Sequence, residues 1–509
     1  VRDTRFRNLQ KGYKLNETIL AIDIGSTKMC AIIAEISTSG KIKIIGHGVS
    51  KSQGVKKGVI TNIELASKSI KKAVSSAKRI AGSSISTATI SISNTYAKSL
   101  SSTGIVNIPN KDISLKEIER VIQTAQYNAN IPTEYEIIHA LPYNFRVDDQ
   151  DFIEDPYGMN ASRMEVDINI IMTQKSSLSN LKKAVRSAGI EIDNVVLNGY
   201  ASAIATMNDD EKELGVVVVD MGGQTSNLII HTGNSVRYND FLSVGSNHIT
   251  NDLSMALHTP LQVAEEVKLA YGDLTESSSD TIELPVIGDD KDKSQVSLEI
   301  VHAVVVARVE ETLTLLAKSL NESLLREQIG SGLILTGGMT KLKGIRELTQ
   351  AIFEGMPVRI ALPNEKSVSG FFDELRDPAF ATVIGLLLYQ AGKFTEYEIN
   401  IKGELLHTKR SFVNDQFDMK FDNMLDGSKS KSLPTKSKID NEEKTNLGNI
   451  ELTETIKATK IRQREEIRSR EASRMRENED AFIFERLPED PTEQGNPFKK
   501  FANWARQLF

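Results

Sequence analysis

Apolar positions between residues 18 and 397 recur with two different periods, and each period predicts its own kind of element. Runs 19–23, 29–36 and 42–49 read as strands. A helix follows whose apolar face is Ile63, Ala66, Ile70, Ala73, Val74, Ala77 and Ile80, with Gly82 placed to close it. The same order returns as runs 216–220, 227–231 and 236–244 and a helix from about 247 to 257. Setting Asp23 on Asp220 gives an offset of 197 residues, too long for a solenoid period and suited to two related lobes. Two related lobes imply a cleft between them.

Two segments interrupt this repeat. Residues 98–174 hold an alternating strand and a helix opening with the capping box Ser114 to Glu117. Extended runs follow at 136–147 and 164–172, where Val166, Ile168, Ile170 and Met172 alternate with polar residues. This predicts a small α+β module. Residues 250–330 hold a helix at 261–271, a polar loop near 277–280 and a long helix from about 298 to 325, and so predict a mostly helical cap. The expected division is lobe 1 at 17–97 and 175–197, lobe 2 at 198–249, its cap at 250–330, and lobe 2 again with a return to lobe 1 at 331–397.

After residue 398 the composition turns to Lys, Glu, Ser, Asn and Arg, so 398–495 reads as a polar linker, helical in part near 451–480. The last fourteen residues restore a strong pattern. On a helical wheel Phe498, Phe501, Ala502, Trp504, Ala505, Leu508 and Phe509 share an arc of about 160°. Lys499, Lys500, Asn503, Arg506 and Gln507 occupy the rest. Asn496 and Pro497 suit the start of such a helix. Three cations without an acidic neighbour fit anionic lipid head groups, so 496–509 is expected to lie on a membrane surface.

Composition narrows the picture. The 509 residues carry a formal charge of -6, which argues against a general nucleic-acid binder, and 39% hydrophobic content suffices for several packed units. Cys30 is the sole cysteine, which excludes an intrachain disulfide and agrees with a reducing, cytosolic setting. Residues 1–16 lack an apolar core, and no run approaches 18 apolar residues, so neither a secretion signal nor a spanning helix is expected.

Candidate chemistry gathers in the turns. In Asp23-Ile24-Gly25-Ser26-Thr27-Lys28 a glycine lets backbone N–H groups approach an anion, hydroxyls and Lys28 add donors and charge, and Asp23 can hold hydrated Mg²⁺. Asp220-Met221-Gly222-Gly223-Gln224-Thr225 supplies the same parts from the other lobe, so facing hairpins could grip one polyphosphate. The strand end Thr336-Gly337-Gly338-Met339 permits close approach to a purine or ribose. Glu265 and Lys268, three apart, share a helix face able to reach ribose hydroxyls and base edges.

These hairpins resemble the actin, heat-shock chaperone and sugar kinase superfamily. So do the connecting helix at 199–207, the Thr336–Met339 strand end and a closing helix at 378–389. Within it, the Asp23 to Lys28 motif resembles the FtsA family of bacterial cell-division proteins, as do the runs Gly245 to Asp252 and Ala264 to Gly272, over roughly 18–397 and again at the far C-terminus.

The resemblance implies an α/β, two-lobed actin-like ATPase fold with an inserted α+β module, a disordered linker and a terminal amphipathic helix. It implies ATP and Mg²⁺ in the cleft, at the two hairpins, Gly245, Glu265, Lys268 and Gly337 to Met339, with Asp23 and Asp220 near the metal through water. It also implies head-to-tail filaments on the cytoplasmic face of the inner membrane and recruitment of later division proteins. The acidic tail of the tubulin-like FtsZ would be received near Arg308 and Glu311.

The chain departs from the superfamily pattern at three positions. Asn198 stands where brisk ATPases carry Glu or Gln and cannot act as a carboxylate base. Gln224 replaces a usual glycine and Asn227 a common aspartate. Slow or negligible hydrolysis is therefore expected, so the chain would be at most a weak ATPase. A phosphotransferase would need an acceptor pocket and base for which no candidate is found, and a pilus-assembly homologue would not need the amphipathic terminus.

Overall fold

Strands Glu17–Ile24 and Lys28–Ile36 are buried along nearly their whole length, as near-continuous apolar runs are when both faces of a sheet are covered. They form the centre of a six-stranded sheet in the computed structural model, which describes residues 17–407 apart from 38–39, 94, 234 and 365–367, with 289–292 described by backbone alone. The sheet runs in the order Glu191–Leu197, Thr87–Ile92, Glu17–Ile24, Lys28–Ile36, Ile42–Lys51, Val368–Gly370. The second lobe repeats it with five strands, Ser235–Leu242, Ser226–Thr232, Val216–Met221, Leu333–Thr336 and Val358–Ile360. The register repeats too: Asp23 pairs with Cys30, and Asp220 with Asn227, at the same offset of 197 residues.

Helix Ile63–Ala81 starts at Asn62, whose side chain accepts from the Leu65 N–H, and stops at Gly82 with φ 62°, where a side chain would be strained. It lies unusually close to its sheet because a Cβ on Gly48 would come within 2.1 Å of the Ala73 carbonyl. Ala66, Ile70, Ala73, Val74 and Ala77 are buried as expected, but Ile63 and Ile80 are 36% and 42% exposed. Both sit at helix ends beyond the strip that meets the sheet.

The first insert is a four-stranded antiparallel sheet, in the order Lys98–Asn107, Arg163–Gln174, Tyr135–Val147, Gln150–Ile153. Helix Leu115–Asn128 covers one face with Ile118, Val121, Ile122 and Ala125, and the Ser114–Glu117 capping box is formed. The second insert contains helices Ser246–Ala256, Leu261–Tyr271 and Leu298–Glu322. It also holds a hairpin, Thr281–Val286 with Asp289–Ser297, which the reading of a mostly helical cap did not foresee. The second of those strands is almost all polar, so no alternation marks it, and backbone pairing alone defines it.

Helices Asn198–Thr206 and Ala381–Gln390 join the lobes. Gly385 permits their crossing, since a Cβ there would lie 1.8 Å from the Ala201 carbonyl. One apolar cluster runs from Ile32 and Ala34 of the first sheet through Tyr200 and Leu387 to Val218 and Ile229 of the second, so the lobes share a core below their cleft.

The folded body does not end at residue 397. Glu398 and Ile399 are buried, Ile399 bridges to Ala140 and Leu405, and Glu398 carries a polar cluster. The His139 Nδ1–H lies 2.6 Å from Glu398 Oε1, and Tyr389 and Tyr200 donate to the same carboxylate at 2.7 and 3.1 Å. The boundary expected at 398 is thus corrected to 407 at the least. A polar composition concealed it because its few apolar residues, Ile399, Ile401, Leu405 and Leu406, follow no helix or strand period and pack into three different clusters, alongside these hydrogen bonds. The residues expected to reach a membrane, Phe498, Lys499, Lys500, Phe501, Trp504, Arg506, Leu508 and Phe509, lie outside the described residues.

Candidate functional site

The two hairpin turns meet. A Cβ on Gly223 would fall 1.7 Å from Thr27 Oγ1, so the tip of the lobe 2 hairpin fits against lobe 1 only as glycine. Gly25 and Gly222 play the same part within their own turns, where a Cβ would stand 2.6 and 3.0 Å from the carbonyls of Lys28 and Thr225. These carbonyls are themselves 197 residues apart. Above the turns opens a cavity of about 530 Å³, lined by Asp23, Gly25, Ser26, Thr27, Lys28, Asn198, Asp220, Gly222, Gly223 and Thr225. Glu265, Lys268, Gly337, Gly338 and Met339 line its other side. Gln224 and Gly245 do not line it.

Gln224 instead turns to a neighbouring loop, where its Oε1 accepts from the Lys57 N–H at 2.8 Å. Gly245 supports the hairpin from behind, as a Cβ there would press within 2.5 Å of the Gly222 carbonyl.

Asp23 and Asp220 are both buried at the cavity floor. Asp23 Oδ1 accepts from Ser91 Oγ at 2.9 Å and from Asn198 Nδ2 at 3.4 Å. Asp220 Oδ2 accepts from Ser202 at 2.6 Å and Thr382 at 3.3 Å. Burial pushes the Asp23 carboxyl up to about 6, against the lowering pull of Lys28 and Ser91, and the Asp220 charge adds to the rise. Asp220 is raised as well, first by burial, with its two hydroxyl donors and Lys28 working against that.

Lys28 donates to the Ala379 carbonyl, with its ammonium 3.8 Å from the Phe380 ring centroid. Asn227 accepts from Ser93 Oγ at 3.2 Å. Asn198 Oδ1 is buried in the cavity wall with no hydrogen-bond partner, an acceptor that a bound water or ligand donor would satisfy. Among the described residues no cluster of three His, Cys, Asp or Glu side chains could hold a metal directly. A cation here would depend on phosphate oxygens and water.

Lys268 is only 6% exposed and donates to Glu265 at 2.6 Å and Thr250 Oγ1 at 2.9 Å. Lys268 is therefore fixed in the cavity wall, while the Glu265 side chain stays 43% exposed at its rim. Gly337, at φ 92°, has room for no side chain: a Cβ would lie 2.4 Å from Asp220 Oδ1. Sequence reading missed Ser246, Leu269, Gly272, Lys341, Leu342, Ala379 and Thr382 on the lining, and Ser91 and Ser202 behind it. These residues come from six stretches of chain, and only the fold brings them together.

Arg308 and Glu311 lie apart from this lining and bond to one another. The Arg308 fork is also closed on Asp252 of helix Ser246–Ala256, with Nε at 2.5 Å and Nη2 at 3.1 Å, a partner not foreseen from sequence.

With this geometry in place, comparison with known proteins becomes specific. Residues 217–385 match the family model for cell division protein FtsA, and 94–172 match the SHS2 domain inserted in FtsA. A cell division protein FtsA of Helicobacter pylori is 41% identical over 417 residues, which span 76% of this chain and 84% of the relative. The chain belongs to the FtsA family. Another member, from Pseudomonas aeruginosa, is 36% identical across 73% of this chain and 88% of its own. The FtsA of Escherichia coli K12 is 28% identical across 77% and 93%.

Among solved structures, a PilM–PilN type IV pilus biogenesis complex aligns with TM-score 0.54 at 17% identity, over 73% of this chain and 98% of that one, a likeness of fold. The fold is accordingly the two-lobed actin-like α/β fold, with the four-stranded insert as the family's SHS2 domain.

Proposed function

We propose that this chain binds ATP with Mg²⁺ between its two lobes and uses the nucleotide as a brace, with slow or negligible hydrolysis. In that state it polymerises on the cytoplasmic face of the inner membrane, anchors FtsZ there and recruits later division proteins. The observation that carries the reading is the abutment of Thr27 on Gly223, which sets two equivalent turns around one cavity. Thr27, Ser26 and the turn N–H groups would face the phosphates. Asp23 and Asp220 would hold the hydrated cation, and Glu265 with Lys268 the ribose and base edge. The cation's charge would favour ionised aspartates where burial alone opposes them.

Weak turnover is supported by Asn198, which lines the cavity, stands where the superfamily resemblance implies a base, and has no proton-accepting carboxylate. Calorimetry should register Mg-ATP uptake that Asp220→Ala abolishes, while phosphate release in a single turnover stays slow. No uptake by the wild-type chain, or release as fast as an efficient ATPase of this superfamily, would refute the reading.

The membrane attachment rests on the amphipathic pattern of residues 496–509, and the FtsZ contact on Arg308 and Glu311. An acidic tail would have to compete with Asp252 for the Arg308 fork. Arg308→Glu should remove co-sedimentation with FtsZ and leave ATP binding intact, and unchanged co-sedimentation would remove Arg308 from the contact.

A further inference from the structure

Charge is divided unevenly between the lobes. Segments 17–97 and 175–197 together carry 15 Lys/Arg against 6 Asp/Glu, whereas 198–330 carries 8 against 21. Part of the excess on lobe 1 lies along one helix face. Helix Ile63–Ala81 presents Lys68, Lys71, Lys72, Lys78 and Arg79 within an arc of about 120°, opposite the alanine-rich strip that meets the sheet. Its one acidic residue, Glu64, bonds Lys68 at 2.7 Å. Helix Lys175–Ser187 shares the same apolar cluster, has no acidic residue, and adds exposed Lys183 and Arg186 to the outer surface. Leu65 and Ile80, 39% and 42% exposed, add apolar contacts to the basic helix.

We propose that this basic face of lobe 1, on helices Ile63–Ala81 and Lys175–Ser187, docks on an anionic lipid surface as a second contact beside the C-terminal segment. The inference deepens the membrane reading above and rests on it. The chemistry selects the occupant. Neither helix carries an aromatic side chain on which a base could stack, and the acidic second lobe would repel a long polyanion. Lysines outnumber arginines, which suits a mobile field of head groups better than a fixed carboxylate requiring a planar fork. Partly exposed aliphatic side chains beside the cations fit shallow insertion at the headgroup level. The path of the chain agrees: Ile401, near the end of the described segment, packs against the cluster that contains Ala66 and Ile70. Lys402 bonds Asp193 of the same lobe at 2.8 Å. An anionic leaflet would thus attract lobe 1 and repel lobe 2, and so fix which side of the molecule faces inward.

Flotation of the full-length chain with vesicles tests this, using phosphatidylcholine alone or with one third phosphatidylglycerol. Reversing Lys68, Lys71, Lys72 and Arg79 to Glu should weaken binding to the phosphatidylglycerol vesicles at least tenfold, with Mg-ATP binding and thermal midpoint retained. Changing the three lysines to Arg should preserve it. If the charge-reversed chain floats like wild type while a Phe501→Ala, Trp504→Ala chain does not, the basic face is excluded and the C-terminal anchor stands. Wild-type flotation by both variants would overturn both. If charge reversal changes sedimentation of the protein without vesicles and leaves flotation untouched, the face serves a second copy and the proposal falls.

Discussion

At the scale of single residues, Asp23 and Asp220 are held at a cost. Both are buried, and their charges repel across the cavity floor. Because the Asp23 carboxyl is raised to about 6 in the folded chain, folding favours its protonated form. Its contribution is then most favourable below the unfolded value near 3.8 and is lost as pH rises towards 6. The loss amounts to about 2–3 kcal/mol for a shift of roughly two units. The nucleotide-free protein should therefore lose thermal stability between pH 4 and 6, and Asp23→Asn should flatten that part of the profile. An unchanged profile in the variant would show that another group titrates there. A glycine argument applies at Gly223, where alanine should separate the hairpins and lower nucleotide affinity at least tenfold in calorimetry, because Thr27 occupies the space of the new methyl group.

Elements were legible where periodicity was strong and opaque where bonding replaced it. The buried strands around Asp23 and Asp220, the capping box at Ser114 and the Gly82 stop all follow from local rules. The polar strand Asp289–Ser297 does not, since no apolar alternation marks it, and neither does the segment after Tyr397, whose partners lie in distant chain. Likewise both hairpin motifs could be read directly, whereas Ser91, Ser202 and Thr382 reach the aspartates only through the fold. The segment around Glu398 gives this lesson a test. Burial, and then the Glu398 charge, push the phenols of Tyr200 and Tyr389 well above their ordinary range, so both stay protonated and donate. Glu398→Ala would leave the buried donors of His139 and Tyr389 without their acceptor and Tyr200 with Thr395 alone, at about 1–3 kcal/mol for each orphaned donor. Urea unfolding should report a loss of that order, far above that of Lys402→Ala, whose bond to Asp193 is exposed. Equal effects would assign the segment a merely superficial role.

For the whole molecule, the shared core beneath the cleft joins the lobes at their base, and their upper parts meet across a cavity. A ligand filling that cavity would stabilise the body with the logarithm of its concentration, by about 2.7 kcal/mol at a hundredfold excess over its dissociation constant. Mg-ATP should accordingly raise the melting temperature by a few degrees in differential scanning calorimetry, and Gly223→Ala should remove most of the rise. The stitching of residues 397–407 has a mechanical side as well. Glu398 is fastened at once to the SHS2 domain through His139, to the connecting helix through Tyr200 and to the closing helix through Tyr389. Tension applied along the chain beyond that point would load three anchorages in shear instead of peeling one edge, so a body towed by its C-terminal end would be dragged from its central seam.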